Sequence, residues 1–412
     1  MQISDYEIMA PVGSWESLAA ALNAGSDSVY FGIEHLNMRS HSSNNFTTED
    51  LKEIVRRCKE KGVKTYLTVN TILYDADLDL MHEIIDIAKA SGISAIIASD
   101  IAAMQYACQI DVEVHLSTQL NISNIEALRF YAQFADVVVL ARELNLDQVK
   151  AIHEAIVREN IVGRHGKLIK IEMFCHGALC MAVSGKCYLS LHEYDRSANR
   201  GECMQICRRG YTVTDKETGS ELDINNKYIM SPKDLKTIHF INKMMDVGVQ
   251  VFKIEGRARG AEYVKTVVSC YKDAISSYVN GNFTEDKIAE WDTQLATVFN
   301  RGFWNGYYLG QRLGEWSSNY GSQATKRKVY IGKITNYFKK INVAECLMES
   351  QDLKLGDEIL ITGETTGAYI ATIDELRMDD SPVQAVVKAD VFSIKTSLPV
   401  HRNDKLFKLV EA

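Results

Sequence analysis

The 412-residue sequence lacks the features of exported and membrane-spanning chains. Its first residues, MQISDYEIMAPVG, carry Asp5 and Glu7 where an export signal needs a cationic and then an apolar stretch. No apolar run approaches the roughly 20 residues of a membrane helix. We therefore expect a cytoplasmic protein without a membrane partner. In the cytoplasm thiols stay reduced, and clustered cysteines more often bind metal or react than form disulfides.

Several catalytic motifs are also missing. No G-x-G-x-x-G follows the first strand-like segment and no Walker A loop is present, which disfavours the classical nicotinamide, kinase and NTPase classes. His82 and Glu83 lack the second histidine of H-E-x-x-H, and there is no G-x-S-x-G elbow, so hydrolase motifs are weak as well. The net charge of −8 argues against a general polyanion binder but permits a local basic patch.

Eight short apolar segments, most of them separated by amphipathic helices, occupy the first three quarters of the sequence. They are YEIMAP (6–11), DSVYFG (27–32), KTYLTV (64–69), AIIAS (95–99), VEVHLS (112–117), DVVVLAR (136–142), KIEMF (170–174) and VFKIEG (251–256). Ser14 is a predicted helix N-cap, and Gly92 is predicted to end a helix over 77–92. Apolar runs separated by helices are typical of a parallel sheet, and eight of them favour a closed (β/α)₈ barrel over an open, doubly wound sheet.

From about residue 329 the pattern changes to short alternating segments, namely VYIGKIT, INVAECL, DEILITG, GAYIATID and PVQAVVKAD. This pattern predicts a small all-β barrel. We therefore predict an α/β chain with a TIM-like barrel catalytic domain over 1–325, a cysteine-rich insertion over 175–211, and a small β-barrel domain over 326–412. The polar and basic stretch from Gly321 to Lys328 is the predicted hinge.

Five of the nine cysteines lie within a short window, with the spacings Cys175-x4-Cys180-x6-Cys187 and Cys203-x3-Cys207. None of these spacings is the C-x-x-C of a structural zinc ribbon. Glycines at 177, 185 and 201 would let the backbone fold closely around a bulky group. Thiolates are soft ligands that suit iron–sulfur clusters, but the spacing alone does not separate iron–sulfur from zinc. We expect the four remaining cysteines to be small buried hydrophobes: Cys58, Cys108, Cys270 and Cys346.

The pattern E-x-F-x-x-G-A-L-C-x4-G-x-C-x-L-S, from Glu172 to Ser190, resembles the signature of the U32 "collagenase-like peptidase" family. The segments APVGSWESLAAALNAGSDSVYFG and FKIEGRARG, and the terminal β domain, resemble the same family. The family is named for a peptidase activity, but resemblance to it implies an oxygen-independent hydroxylase that holds a 4Fe–4S cluster. Such hydroxylases act on ubiquinone precursors, tRNA or ribosomal RNA. The length and the β domain most resemble the branch that makes 5-hydroxyuridine at the tRNA wobble position. Prephenate is then the implied hydroxyl donor, and an electron-donor protein is a possible further partner.

The resemblance also implies a ligand set. Cys180, Cys187 and Cys203 match the family's cluster positions. Lys236 stands where relatives often have a cysteine, so the fourth ligand is open between Cys207, Cys175 and an unliganded iron. Two alternatives to the hydroxylase are a U32-type peptidase and a zinc-stabilised RNA-binding protein without catalysis.

Polar residues follow the ends of the later predicted strands, where (β/α)₈ barrels carry their catalytic groups. Arginine forks would hold a dicarboxylate, and a histidine would move a proton near neutral pH. The candidate catalytic residues are His176, His115, Glu172 and Glu255. The candidate substrate-binding residues are Arg39, Ser117, Gln119, Asn121, Arg142, Lys253 and Arg257.

Candidate RNA contacts are basic residues with aromatic neighbours that can stack on bases. They are Lys326–Lys328, Lys339–Lys340 and Arg208–Arg209, with Tyr211, Tyr337 and Phe338 nearby. The aromatic segment 299–310 is predicted to line either this surface or the contact between the two domains.

Overall fold

The computed structural model describes residues 2–40, 45–224, 231–317 and 321–412. The helices are α1 (Trp15–Asn23), α2 (Asp50–Glu60), α3 (Leu78–Ser91), α4 (Ile101–Gln109), α5 (Ile125–Ala132), α6 (Leu146–Arg158), α7 (Leu189–Tyr194), α8 (Ile241–Asp246), α9 (Ala261–Val279) and α10 (Glu285–Ala296). The strands of the first part are β1 (Glu7–Pro11), β2 (Ser28–Phe31), β3 (Lys64–Val69), β4 (Ala95–Ala98), β5 (Val114–Leu116), β6 (Val137–Val139), β7 (Lys170–Gly177), β8 (Tyr211–Thr214), β9 (Glu221–Ile224), β10 (Asp234–Lys236), β11 (Val249–Ile254) and β12 (Phe303–Trp304).

Strands β1 to β7 pair in parallel in chain order, and β11 closes the sheet by pairing with both β1 and β7. The predicted (β/α)₈ barrel is therefore confirmed. The sequence signals act locally as predicted. The Ser14 side chain accepts a hydrogen bond from the Ser17 backbone at 3.2 Å, and Gly92 ends α3 with a φ of +80°. Beyond the barrel, β10 adds antiparallel to β7 and β12 pairs with β10.

An antiparallel β domain follows the barrel. Its strands are β13 (Lys326–Phe338), β14 (Val343–Met348), β15 (Asp352–Lys354), β16 (Glu358–Gly363), β17 (Gly367–Thr372), β18 (Leu376–Met378), β19 (Ser381–Val383), β20 (Ala385–Val387), β21 (Val391–Lys395) and β22 (Lys405–Glu411). Eight of them form one sheet, while β15 pairs with β20. The domain has its own apolar core. The predicted order of a barrel and then a small all-β domain is confirmed, while the division at residue 325 stays a prediction.

The β domain packs on the outside of the barrel, away from the strand ends that carry the polar candidates. Leu360 and Ala368 belong to the same apolar core as the barrel helices. Gly367 of β17 lies so close to α1 that a Cβ there would approach the Ala20 nitrogen to 2.5 Å. The carboxyl ends of the barrel strands are instead covered by the cysteine-rich insertion.

Candidate active site

A cavity of about 750 Å³ lies at the carboxyl ends of the barrel strands. The segments after β2, β3, β5, β6 and β11 supply one wall, and the insertion that leaves β7 supplies the other. Of the residues predicted from the sequence, eleven line this cavity: Arg39, Ser117, Gln119, Arg142, Lys253, Glu255, Arg257, Cys180, Cys187, Cys203 and Cys207. The fold thus brings the predicted ligands and the predicted cationic side chains to one space.

The insertion is held over the barrel by specific polar contacts. Arg208 donates to the Leu179 carbonyl at 2.7 Å, to Ser231 Oγ at 2.7 Å and to the Pro232 carbonyl at 3.0 Å. Arg200 forms an ion pair of 2.7 Å with Asp77 on the far side. Arg208 is therefore a clamp for the insertion. Its guanidinium is not presented outward, as an RNA-contacting side chain would be.

Two glycines permit the close approach that the sequence suggested. Gly177 has a φ of +104°, and a Cβ there would come within 2.2 Å of the Glu255 carbonyl oxygen. Gly201 has a φ of +87°, and its Cβ would meet Ser40 Oγ at 2.3 Å. Both conformations disfavour any side chain. The insertion lies against the barrel at these two points because no side chain is present.

The four candidate thiols are free and face the same cavity. Burial raises the pKa of Cys207 to about 11, although the guanidinium of Arg208 works against this. Burial also raises the pKa of Cys187, and the charges of Cys180 and Cys203 add to the effect. Near neutral pH the thiols of Cys187 and Cys207 are therefore protonated, and a metal bound there would displace their protons.

The cavity lining includes neither Cys175, the other candidate for the fourth ligand, nor Lys236, which stands where relatives often have a cysteine. Cys175 is fully buried and donates from its Sγ to the Lys253 carbonyl at 3.4 Å. Lys236 forms an ion pair of 2.8 Å with Asp292 and lies over the ring of Phe303. Of the two cysteines weighed for the fourth ligand, only Cys207 shares the cavity with Cys180, Cys187 and Cys203.

The cavity floor carries a carboxylate ringed by cations. Glu255 Oε1 lies 3.0 Å from Arg39 Nη2, and Glu255 Oε2 accepts from the Tyr30 hydroxyl at 3.2 Å. Burial opposes ionisation of Glu255, but Arg39, Arg257 and Arg142 lower its pKa below the ordinary value. Glu255 is therefore ionised near neutral pH and organises the arginines around the cavity.

Arg142 is a half-buried cation with weak partners among the described residues. Its guanidinium stacks on the Phe174 ring at 3.9 Å, and its single hydrogen bond, to the Ala178 carbonyl, is 3.4 Å long. The Nε of Arg142 is buried and has no hydrogen-bond partner among the described residues. Because a buried donor without a partner is costly, this arrangement favours a ligand that brings an acceptor, and the charge of Arg142 favours an anionic one.

Two candidates, Glu172 and His115, lie in the polar interior beneath the cavity. Glu172 is fully buried, with Lys253 Nζ at 2.8 Å from Oε1 and His115 Nδ1 at 3.8 Å from Oε2. Burial opposes ionisation of Glu172, but Lys253 and His115 lower its pKa. Burial likewise opposes protonation of His115, but Glu113 and Glu172 raise its pKa. Glu172 and His115 thus form a charge network that holds Lys253 in place, and they do not themselves line the cavity.

His176 and Asn121 also lie outside the cavity lining. Burial, with the charges of Lys236 and Arg259, lowers the pKa of His176 to about 3, and its Nδ1 lies 3.4 Å from the Tyr271 hydroxyl. A histidine that stays neutral at physiological pH does not provide the proton transfer expected of it. The Asn121 amide donates to the backbone carbonyls of Gln119 and Ser184, so it braces the insertion.

Sequence reasoning missed one group of charges at the cavity wall. Arg301 and Arg259 approach the buried carboxylate of Asp234 at 3.4 and 3.9 Å, and both stack on the Phe299 ring. Burial raises the pKa of Asp234, against the pull of Arg301, Arg259 and Arg208. These residues come from three distant segments. The available signal in the sequence was that Arg259 lies in FKIEGRARG and Arg301 in the aromatic stretch 299–310, two segments already singled out from the sequence.

The described part of the chain contains neither a compact site for one metal ion nor a membrane helix. In residues 2–40, 45–224, 231–317 and 321–412, no three or more histidine, cysteine or acidic side chains are close enough together to hold a single metal ion. Nor is any helix within those ranges both long and apolar enough to cross a membrane.

Comparison with known proteins identifies the class. The model of peptidase family U32 matches residues 13–318, so the chain belongs to this family. It is 66% identical over 408 residues to a protein of Porphyromonas gingivalis named collagenase, covering 99% of both chains. It is also 32% identical to the tRNA hydroxylation protein P1 of Bacillus subtilis, covering 91% of this chain and 87% of that one. A third relative, 30% identical, is the 23S rRNA 5-hydroxycytidine C2501 synthase of Escherichia coli, covering 96% of this chain and 59% of that one.

Proposed function

We propose that this chain is an iron–sulfur-dependent, oxygen-independent tRNA hydroxylase that forms 5-hydroxyuridine at the wobble position, with prephenate as the hydroxyl donor. The main support for this proposal is that four free cysteines and several cationic side chains line the same cavity at the mouth of the barrel. Relatives named for tRNA hydroxylation and rRNA hydroxycytidine synthesis support RNA as the substrate and make an enzyme the favoured class.

The donor set fits a 4Fe–4S cluster. Cys180, Cys187, Cys203 and Cys207 supply four soft sulfur ligands, the usual complement of such a cluster. Each ligand of a four-iron cluster binds a different iron atom, so these sulfurs stand farther apart than the four ligands of one zinc ion. That all four thiols line one cavity supports this donor set. When bound, the cluster would supply one-electron transfer or an iron site for an oxygen ligand.

The residues around the thiols fit an anionic co-substrate. Arg257 is almost fully buried and donates to Asn37 Oδ1 and Thr68 Oγ1 at 3.1 Å each, so both partners are neutral. Arg142 has no carboxylate in ion-pair range among the described residues. A dicarboxylate such as prephenate would pair with such forks. Glu255 orients Arg39, and its negative charge offsets the repulsion among the surrounding arginines.

The RNA surface is best supported at two places. Phe338, Lys339, Lys340 and Ile341 are exposed at the tip between β13 and β14. At the cavity itself the Tyr188 ring is 77% exposed beside Cys187, which suits stacking on an unpaired base. Lys326 and Lys328 are weaker candidates, because Glu358 and Glu262 pair with them.

Nucleoside analysis tests the substrate. Total tRNA from a strain that lacks this chain should lose 5-hydroxyuridine and nucleosides made from it, as measured by mass spectrometry. The wild-type chain should restore them, and Cys180→Ser should not. Unchanged tRNA together with the loss of a hydroxylated nucleoside from ribosomal RNA would assign a different RNA, and unchanged RNA of both kinds would refute the proposal.

A peptidase is the second candidate, and it rests on the 66% identical relative named collagenase. The structure offers little support for a nucleophile and base formed by the adjacent residues Cys175 and His176. Cys175 has a pKa raised by burial, its Sγ is bonded to a carbonyl, and His176 has a pKa of about 3. Hydrolysis of gelatin by the pure chain, retained in Cys180→Ser, would favour this candidate.

A further inference from the structure

A small side cavity of about 40 Å³ opens next to the main one, and the two share Arg142, Leu179 and Cys180. Its outer wall consists of Trp304, Tyr307 and Trp316. The rings of Trp304 and Tyr307 meet edge to face, with centroids 5.3 Å apart. The side cavity is therefore a defined space with rigid walls, directly beside one of the proposed cluster ligands.

Two hydrogen-bond donors at this side cavity have no acceptor. The Nε1 of Trp304 and the Nε of Arg142 are buried, and neither has a hydrogen-bond partner in the described part of the chain. Trp304 is only 5% exposed, so bulk water does not replace the missing partner. Both groups are donors only, and an unsatisfied buried donor costs about 1–3 kcal/mol. The arrangement calls for a ligand that brings acceptor oxygens.

We propose that this side cavity binds a carboxylate group of the small-molecule co-substrate, with Arg142 and Trp304 as the donors. The charge of Arg142 favours an anion over a neutral carbonyl. The volume decides between ligand groups. A single water needs about 10–15 Å³, so 40 Å³ admits a carboxylate but not the ring of a nucleotide. Glu143 also lines the cavity, but it is exposed, so its charge is solvated.

This inference rests on the proposed function, because it assigns one end of the proposed donor. The carboxylate would sit beside Cys180 while the rest of the molecule occupies the larger cavity, where Arg257 has only neutral acceptors and could bind a second acidic group. Trp304 would thus be a binding residue that the sequence motifs did not indicate.

Isothermal titration of the anaerobically purified full chain with prephenate tests the assignment. Trp304→Phe keeps an aromatic ring and removes the N–H, so the Kd should rise about tenfold or more, as for a lost hydrogen bond to a charged group. Trp15→Phe removes an indole N–H on α1, outside the linings of both cavities, and should change the Kd less than about twofold. Arg142→Gln is a second variant that does not disturb the aromatic wall, and should weaken binding further. Thermal melts confirm that each variant is folded.

Phenylpyruvate, a simpler carboxylate, is titrated in parallel. If wild type fails to bind prephenate but binds phenylpyruvate, the proposed hydroxyl donor is wrong, and the comparison of wild type with Trp304→Phe still tests the side cavity. Equal affinities of wild type and Trp304→Phe for the carboxylate that binds would overturn the inference. Binding of neither carboxylate would overturn both.

Discussion

His115 Nδ1 and Glu172 Oε2 lie 3.8 Å apart inside the barrel, and both atoms are buried without a hydrogen-bond partner in the described part of the chain. The other imidazole nitrogen is 3.2 Å from Glu113, and Lys253 Nζ is 2.8 Å from the second oxygen of Glu172. One carboxylate is thus flanked by the Lys253 ammonium and by an imidazole whose charge depends on pH, from different strands. Because Lys253 also lines the cavity, the position of this cation depends on a charge network below it.

The pH response of His115 follows from this pair. Glu113 and Glu172 hold its pKa above the ordinary 6.5 despite burial. A raised pKa contributes stability that is complete below about pH 6.5 and is lost as pH rises through the raised value. The difference in the free energy of unfolding between wild type and His115→Gln should therefore shrink as the pH rises, as measured by urea unfolding at several pH values.

The variant Glu172→Gln should lower the pKa of His115 in an imidazole NMR titration, because one of its two anionic neighbours is gone. His165 is the internal control, since its raised pKa comes from Asp136 on the surface. An unchanged His115 titration in Glu172→Gln would show that the two groups are not coupled.

Arg257→Lys should reduce hydroxylation by about tenfold to a hundredfold. Arg257 reaches two neutral acceptors through one nitrogen, which leaves the rest of its fork for an anion, and a lysine ammonium does not present that fork. The measurement is the restoration of 5-hydroxyuridine in a deletion strain. Arg158→Lys, at an exposed helical arginine, should restore it fully. Equal restoration by the two variants would remove the anion-binding role of Arg257.

Arg208→Gln should loosen the insertion, whereas Arg209→Gln should not. Arg208 makes one hydrogen bond to residue 179 within the insertion and two that tie the insertion to residues 231 and 232. The neighbouring Arg209 is exposed and contacts Tyr194. Limited proteolysis within 175–211 should accelerate several-fold in the first variant only. Identical cleavage rates would mean that other contacts hold the insertion.

Gly177→Ala should lower the free energy of unfolding by about 3 kcal/mol or more, since it adds a backbone clash to a strained positive φ. Gly166 also has a positive φ, of +74°, but nothing lies within 4 Å of the place that a Cβ would occupy there. Gly166→Ala should therefore cost only about 1–2 kcal/mol. Similar losses in the two variants would show that the contact with Glu255 relaxes easily.

The sequence predicts the parts of this protein that repeat a local pattern. All eight barrel strands lie where apolar runs alternate with amphipathic helices, because burial on both faces demands such runs. In the β domain, strands β15, β18, β21 and β22 were not predicted. The first three hold only three to five residues and have no flanking helices to mark them, and β22 (KLFKLVE) lacks a strict alternation of apolar and polar residues.

The candidate site likewise contains residues that the sequence predicts and residues that it does not. Cysteines and arginines at the strand ends were recognisable, since the barrel places strand ends together. His176 was predicted to be catalytic because it ends β7, but its ring packs among Tyr263, Tyr271 and Phe303 outside the cavity. Asp234, Arg301 and Trp304 belong to segments that follow the insertion and reach the site only in the folded chain. No local sequence pattern indicates which distant segments come into contact.

The cluster is tested most directly by iron and acid-labile sulfide analysis of the anaerobically purified chain, together with its visible absorbance. We predict about four irons and four sulfides per chain and a brown protein. Serine at Cys180, Cys187, Cys203 or Cys207 should lower both contents, while Cys108→Ser, remote from the cavity, should not. A colourless wild-type protein that carries zinc, or none of these metals, would contradict the account.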